Sequence, residues 1–187
     1  LAIQFIFQIS PNFVGKLKIN LPKIVLLSDN HSHIETKLNL YLEKADEIWN
    51  AGDIGSKEVV EWMESFGKPI RGVYGNIDDK ELRQKFPEDN IFRIEEIKVW
   101  MTHIGGYPGK YSSRVRSKFA EIQPLLFICG HSHIVKLEQD KKLGHWVFNP
   151  GAAGNQGFHQ VKTAISFDVN GNNITNVDVI NLGMRGG

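Results

Sequence analysis

Cysteine is almost absent: Cys129 is the only one in 187 residues, so the chain can form no internal disulfide and does not depend on an oxidising compartment. An excess of charge of one sign is missing too. Lysine and arginine number 22 against 21 aspartates and glutamates, a formal net charge of +1. That balance leaves no electrostatic footprint for bulk nucleic acid or a membrane surface, so any anionic ligand must be drawn by a local site. The apolar opening, Leu1 to Phe7, falls far short of the roughly 18 residues that span a bilayer, and no basic residues precede it as in a secretory signal. A cytoplasmic location is therefore expected. No Pro/Gly/Ser-rich stretch, internal repeat or low-complexity tract divides the chain. Residues 1–22 are expected to form an N-terminal extension of unknown role, and 23–187 a single domain.

What is present is a rhythm. Ile24 to Leu27 is a short, continuously apolar run of the kind that forms a strand covered on both faces. Ile34, Leu38, Tyr41 and Leu42 follow at helical spacing, and Glu47 to Asn50 reads as a second strand. Ser56 is placed to cap a helix with Val59, Trp62, Met63 and Phe66 on its apolar face, before a third strand from Pro69 to Tyr74. This βαβα order predicts a parallel sheet. Beyond Pro87 the pattern changes: Ile91–Ile94 and Ile97–Thr102 flank Glu95-Glu96 as in a hairpin, and a helix is expected from about Ser112 to Ile122. Leu125 to Cys129 is another apolar strand, and alternating Val161, Thr163, Ile165, Phe167 and Val169 suggest that the chain closes in a β-meander. The expected class is α/β, a four-layer α/β/β/α sandwich of two packed mixed sheets flanked by helices.

Residues of metal-ligand type fall just past the strand ends: Asp29, His31, Asp53, Asn76, His103, His131 and His133. The carboxyl ends of strands line the ligand crevice of an α/β sheet, so positions spread over about 100 residues can converge there. Asp-x-His, Gly-Asp or His-x-His alone is a weak signal. Together and in order, Asp29-Asn30-His31, Gly52-Asp53, Gly75-Asn76, Thr102-His103 and Gly130-His131-Ser132-His133 resemble the motif blocks of the calcineurin-like metallophosphoesterase superfamily. The resemblance runs from about Lys23 to at least Gly151. Size, and an Asn149-Pro150-Gly151 loop, point to its small prokaryotic phosphodiesterase branch.

Carried over position by position, the resemblance implies one metal on Asp29, His31, Asp53 and His133, and another on Asp53, Asn76, His103 and His131, with Asp53 bridging. Asp53, Asn76 and His103 would carry the metal-held chemistry, in-line attack of a metal-bridging hydroxide on a small phosphodiester. A mixed N/O donor set without thiolate suits two divalent transition metals, Mn²⁺ first, with Fe, Ni²⁺, Co²⁺ and Zn²⁺ as alternatives. Two such ions with two carboxylates and one hydroxide leave about +1 at the crevice, so phosphate is attracted without a basic surface.

Two departures from the family pattern matter. Many members read Gly-Asn-His-Asp where this chain has Gly75-Asn76-Ile77-Asp78, so the histidine that would protonate the leaving group is missing. Asp78 is expected either to orient a ligand from behind or to cap the helix starting near Asp79. The second difference is that Ile104-Gly105 replaces the usual Gly-His after His103, opening a Gly/Pro-rich loop whose Lys110, together with Arg114, is a candidate substrate contact; solvated surface cations are the plainer reading. His159 is a candidate to reach back toward the crevice, as a support behind the metal ligands, a replacement acid or a substrate contact. His33, His145 and Cys129 read as ordinary satisfied or buried side chains. Rival functions are a phosphomonoesterase or nuclease of the same fold, and a metal-binding interaction scaffold, because the superfamily resemblance extends to a retromer subunit used chiefly for protein binding. An oligomer is compatible with the sequence.

Overall fold

The computed structural model describes residues 21–186, so the N-terminal extension lies almost wholly outside the described residues. Among the described residues ten strands form two five-stranded sheets. The first has the order β10-β9-β1-β2-β3, with β1 (Lys23–Leu27), β2 (Glu47–Asn50), β3 (Ile70–Gly72), β9 (Val161–Asn170) and β10 (Asn173–Met184). The second has the order β4-β5-β6-β8-β7, with β4 (Asp89–Ile94), β5 (Ile97–Thr102), β6 (Leu126–Ile128), β7 (Val135–Gln139) and β8 (Trp146–Pro150). Each sheet holds a parallel trio, β1-β2-β3 and β5-β6-β8, extended by antiparallel strands.

The alternation of side chains along each strand assigns the layers. Ile24, Leu26, Trp49, Met101, Leu126 and Ile128 point into the space between the sheets and are fully buried. Val25, Leu27 and Ile48 point the other way, against helices α1 (Asn39–Lys44), α2 (Lys57–Glu64) and α3 (Lys80–Lys85). On the opposite outer face Trp100, Phe127 and Val147 pack on Val115, Phe119 and Ile122 of α4 (Ser113–Ile122). Each such side chain contributes about 1.5–3 kcal/mol through burial. The architecture is thus the expected α/β/β/α sandwich.

Local expectations hold with small shifts. The hairpin turns at Glu95, whose φ is 48°, and Ser112 caps α4 by accepting from Val115 N. Ser56 sits at the N-cap of α2 without a side-chain bond to the helix backbone, and Tyr41 is 41 % exposed rather than on the buried face of α1. The closing β-meander is not what forms. After β6 the chain makes one hairpin, β7–β8, in the second sheet and then crosses to build β9–β10 in the first, where β9 pairs with β1. Alternation reveals a strand but not its partner, because either sheet offers an apolar face to the same pattern. Among the described residues no helix is long and apolar enough to cross a membrane.

Candidate metal centre

The carboxyl ends of both parallel trios open on the same edge, and backbone bonds zip their loops together. Asp29 N donates to Gly52 O (2.9 Å), His31 N to Asp53 O (3.0 Å), and Gly130 N to His103 O (3.0 Å). The sheets are joined where His131 N donates to both Asp29 carboxylate oxygens (3.2 and 3.1 Å). Turning the ligand side chains inward forces left-handed backbone at Asp29, His31, Asp53, His131 and His133, with φ between 47° and 68°. Such residues cost about 1–3 kcal/mol each and persist only where surroundings over-determine them. Crowding explains two glycines: a Cβ on Gly75 would run into Asp53 Oδ1, and one on Gly130 into Ser28 Oγ.

Six of the seven expected ligands close into two groups, Asp29 with His31 and His133, and Asp53 with His103 and His131; within each, the donor atoms lie within 4.8 Å of one another. Asp29 Oδ1 is 3.2 Å from His133 Nε2, and His31 Nε2 is 3.3 Å from His133 Nε2. Asp53 Oδ2 faces both groups, 3.2 Å from His103 Nε2 and 3.7 Å from His31 Nε2. Asn76 stands beside the second group, exposed, sharing with His103 the wall of a cavity of about 410 Å³.

His103 tests whether a cation fits. Its Nδ1 lies 2.8 Å from Ala51 O, and a carbonyl only accepts, so Nδ1 carries the proton. In the neutral ring Nε2 is then a bare lone pair, buried without a hydrogen-bond partner and aimed at the Asp53 carboxylate. Two acceptors facing each other in a buried crevice need a cation between them. Protons partly answer that need. Burial works to lower the His103 ring, but the Asp53 and Asp29 carboxylates outweigh it and hold it above its ordinary value. Burial likewise works to raise Asp53, and His103 with the Ile77 N–H holds it low. His31 is pushed down, chiefly by burial, and His133 is raised, first by its bond to Asp29.

The surrounding residues separate into clamps and walls. Asp78 accepts from Gly55 N and Gly75 N, both at 2.7 Å, and so ties the loops after β2 and β3; the cap of α3 is Asp79, which accepts from Leu82 N at 3.0 Å. Ile77 is 44 % exposed at the crevice and offers only its backbone N–H, to Asp53 Oδ1 (3.1 Å). His159 does reach back. Its Nε2 bonds Gly154 O (3.0 Å) and its Nδ1 lies 3.3 Å from His133 Nδ1. Lys110 lines a cleft beside His131. Arg114 lines the cavity beside His103, but its guanidinium is engaged by Asp89 (2.6 Å), Glu88 and Thr102. Cys129 is buried with its thiol pushed up to about 12, first by burial, and His145 is satisfied by Tyr111 OH at 3.0 Å.

Asp89 gives a pH test. Burial opposes ionisation, yet Arg114, Lys118 and Trp100 bring its carboxyl down from 3.8 to about 2. A depressed folded value stabilises above the unfolded one and is lost as pH falls through the folded one. Acid unfolding of the parent should therefore steepen between about pH 4 and about pH 2, and Asp89→Asn should be less stable at neutral pH and flatter across that window.

Two clamps carry no signal in the sequence. Arg83 donates to Asp78 O (2.7 Å) and Asn76 O (3.1 Å) and lies over Tyr74, holding the Asn76 loop from α3. Beside His33, buried Lys162 of β9 pairs with Glu35 at 2.5 Å. Neither position shows a pattern beyond an isolated cation.

A family model described as the calcineurin-like phosphoesterase superfamily domain matches residues 23–172. A probable metallophosphoesterase of Methanothermobacter thermautotrophicus is 29 % identical over 86 residues, 46 % of this chain and 49 % of that protein, so the match spans about half of the curated relative. Among solved structures, a novel archaeal phosphodiesterase superposes with TM-score 0.65 at 21 % identity, over 84 % of this chain and 99 % of that one. A conserved uncharacterized protein of Streptococcus pneumoniae, a predicted phosphoesterase, gives 0.65 at 18 % identity over 86 % and 90 %. Vps29 of Entamoeba histolytica complexed with Zn²⁺ gives 0.65 at 15 % identity over 86 % and 99 %. At these identities the structures speak for the fold, while the family model covers most of the chain and both ligand groups: the protein belongs to the calcineurin-like phosphoesterase superfamily.

Proposed function

We infer that the protein is a metal-dependent phosphodiesterase acting on a small phosphodiester, with Asp29, His31 and His133 holding one divalent cation, His103, His131 and Asn76 the other, and Asp53 between them. The observation that carries this reading is Asp53 Oδ2 facing both ligand groups, at 3.2 Å from His103 and 3.7 Å from His31. Two bound cations supply positive charge for the ester oxygens and a water acidified enough to attack at neutral pH. The chain holds the donors in place: Ala51 O fixes the His103 tautomer, the Gly154–His159 pair backs the His133 ring, and Asp78 and Arg83 keep the Asn76 loop against Asp53.

The diester is favoured over a monoester by two cavities on either side of Ile104, about 410 Å³ beside His103 and about 250 Å³ beside His131. A phosphorus centred at the ligand groups would have one for each ester arm. Ile77 supplies no proton, so departure of an unactivated alkoxide should be slower by about 10²–10⁴-fold than in an enzyme with a general acid there.

The test is chelation followed by reloading with Mn²⁺, Fe²⁺, Co²⁺, Ni²⁺ or Zn²⁺ in turn. Turnover of a bis-nitrophenyl phosphodiester should vanish and return with metal, Mn²⁺ first, exceed that of the nitrophenyl monoester, and place heavy oxygen from labelled water in the product. No turnover with any of the five, alongside metal binding and a tight protein partner, would instead support the scaffold reading that the likeness to Vps29 raises.

A further inference from the structure

The two cavities differ in charge. The one beside His103 is lined by two arginines and a carboxylate: Arg114 is engaged by Glu88 and Asp89, and Arg83 is tied to the backbone carbonyls of Asp78 and Asn76. The cleft beside His131 is lined by Tyr107, Lys110 and Lys136 together with the hydroxyls of Ser112 and Ser132, and among the described residues no carboxylate lines it. Both ammonium groups lie against the one Tyr107 ring, Lys136 at 4.1 Å and Lys110 at 5.9 Å from its centre. Lys136 has a 3.4 Å pairing with Glu138, but both side chains are substantially exposed, and such pairs are worth little. The loop that presents Lys110 is built, because Lys110 N donates to Tyr107 O (2.8 Å) and Ser112 N to Gly105 O (3.0 Å), closing the segment on itself.

We propose that this cleft is an anion subsite: Lys110 and Lys136 hold a second, terminal phosphate on one arm of the substrate. The natural substrate is then a phosphodiester carrying an additional phosphate within reach of the scissile one, not a neutral diester. The proposal rests on the phosphodiesterase reading and deepens it. A neutral arm would bring the cleft no charge to set against Lys110, or against Lys136 beyond its solvent-screened pair with Glu138. A terminal phosphate presents three strong acceptors, and charge-assisted bonds to two ammonium groups outweigh their desolvation when the loop is already formed.

A matched pair of nitrophenyl phosphodiesters tests it, one with a methoxypropyl arm and the other with a phosphooxypropyl arm, so that neither has a free hydroxyl to displace nitrophenolate internally. Leaving group and linker are the same, so only the second anion differs. The phosphorylated ester should have a KM lower by about tenfold, one charge-assisted bond's worth. In K110A/K136A that preference should fall to about unity, and K110R/K136R should restore it, which a merely structural role would not predict. No preference in the parent, or an unchanged preference in K110A/K136A, overturns the subsite. Should neither ester be cleaved, the phosphodiesterase reading fails by itself. Titration with hydroxypropyl phosphate then decides the subsite: about tenfold weaker binding to K110A/K136A supports it, and equal binding overturns it.

Discussion

Replacing Asp53 with asparagine is expected to lower phosphodiester turnover by about 10³-fold or more, roughly 4 kcal/mol of transition-state stabilisation, and to reduce bound metal from about two ions per chain to about one. The amide matches the carboxylate in shape, and its oxygen can still accept the Ile77 N–H that Asp53 Oδ1 accepts at 3.1 Å, so the fold should persist. What changes is the atom facing His103 Nε2 at 3.2 Å and His31 Nε2 at 3.7 Å: a negative oxygen becomes a neutral amide nitrogen, which cannot hold a cation. Elemental analysis of the purified variant, with a thermal melt as the folding control, checks both parts. A variant within about tenfold of the parent rate and with full metal content would remove Asp53 from the centre.

The largest effect on stability is expected at Lys162, outside the ligand set. Its side chain is buried, with Nζ 2.5 Å from Glu35 Oε2 and 3.5 Å from His33 Nε2. Lys162→Met should destabilise by about 3–5 kcal/mol, because it strands a buried carboxylate. The pH dependence should change sign. In the parent, burial works to raise the Glu35 carboxyl, but Lys162, the Lys37 N–H and His33 outweigh it and hold it below 4.5. Its contribution is therefore full above the unfolded value and lost as pH falls through the lower folded one. Without the lysine, burial dominates and raises the carboxyl, so acid should relieve part of the damage. Urea unfolding at neutral pH and near pH 4 measures this, and Glu35→Gln added to Lys162→Met should recover much of the loss. A single variant within about 1 kcal/mol of the parent at neutral pH would show that the pair is not structural.

Ligand types past strand ends were readable because a short apolar run and the polar residue after it are both local. The Glu95-Glu96 hairpin and the helix from about Ser112 to Ile122 were legible for the same reason. The illegible parts all depend on partners far apart in sequence. Asp78 reads in the sequence as a residue that orients a ligand or caps a helix, and its bonds to Gly55 N and Gly75 N, which tie two loops together, have no local signal. Arg114 looked like a free cation until β4 brought Asp89 to it. Lys162 finds Glu35 only once β9 lies beside β1. The departure at Ile77 was plain in the sequence, but its exposure at the mouth of the crevice was not.

The pairing of β1 with β9, Lys23 opposite Asp168, bears on how the chain is made. On a ribosome the first strand emerges early and the strand that covers its flank emerges near the end of the described chain, so one edge of β1 stays unpaired through most of synthesis. That edge carries Ile24, Val25, Leu26 and Leu27, all fully or almost fully buried in the finished fold, and an open apolar edge recruits other chains. Backbone bonds from Ala153 and Gly154 to Ser28 and Asp29 belong to the same late crossover. The centre is therefore among the last parts of the molecule to be completed, and nascent chains stalled before β9 should be both inactive and sticky.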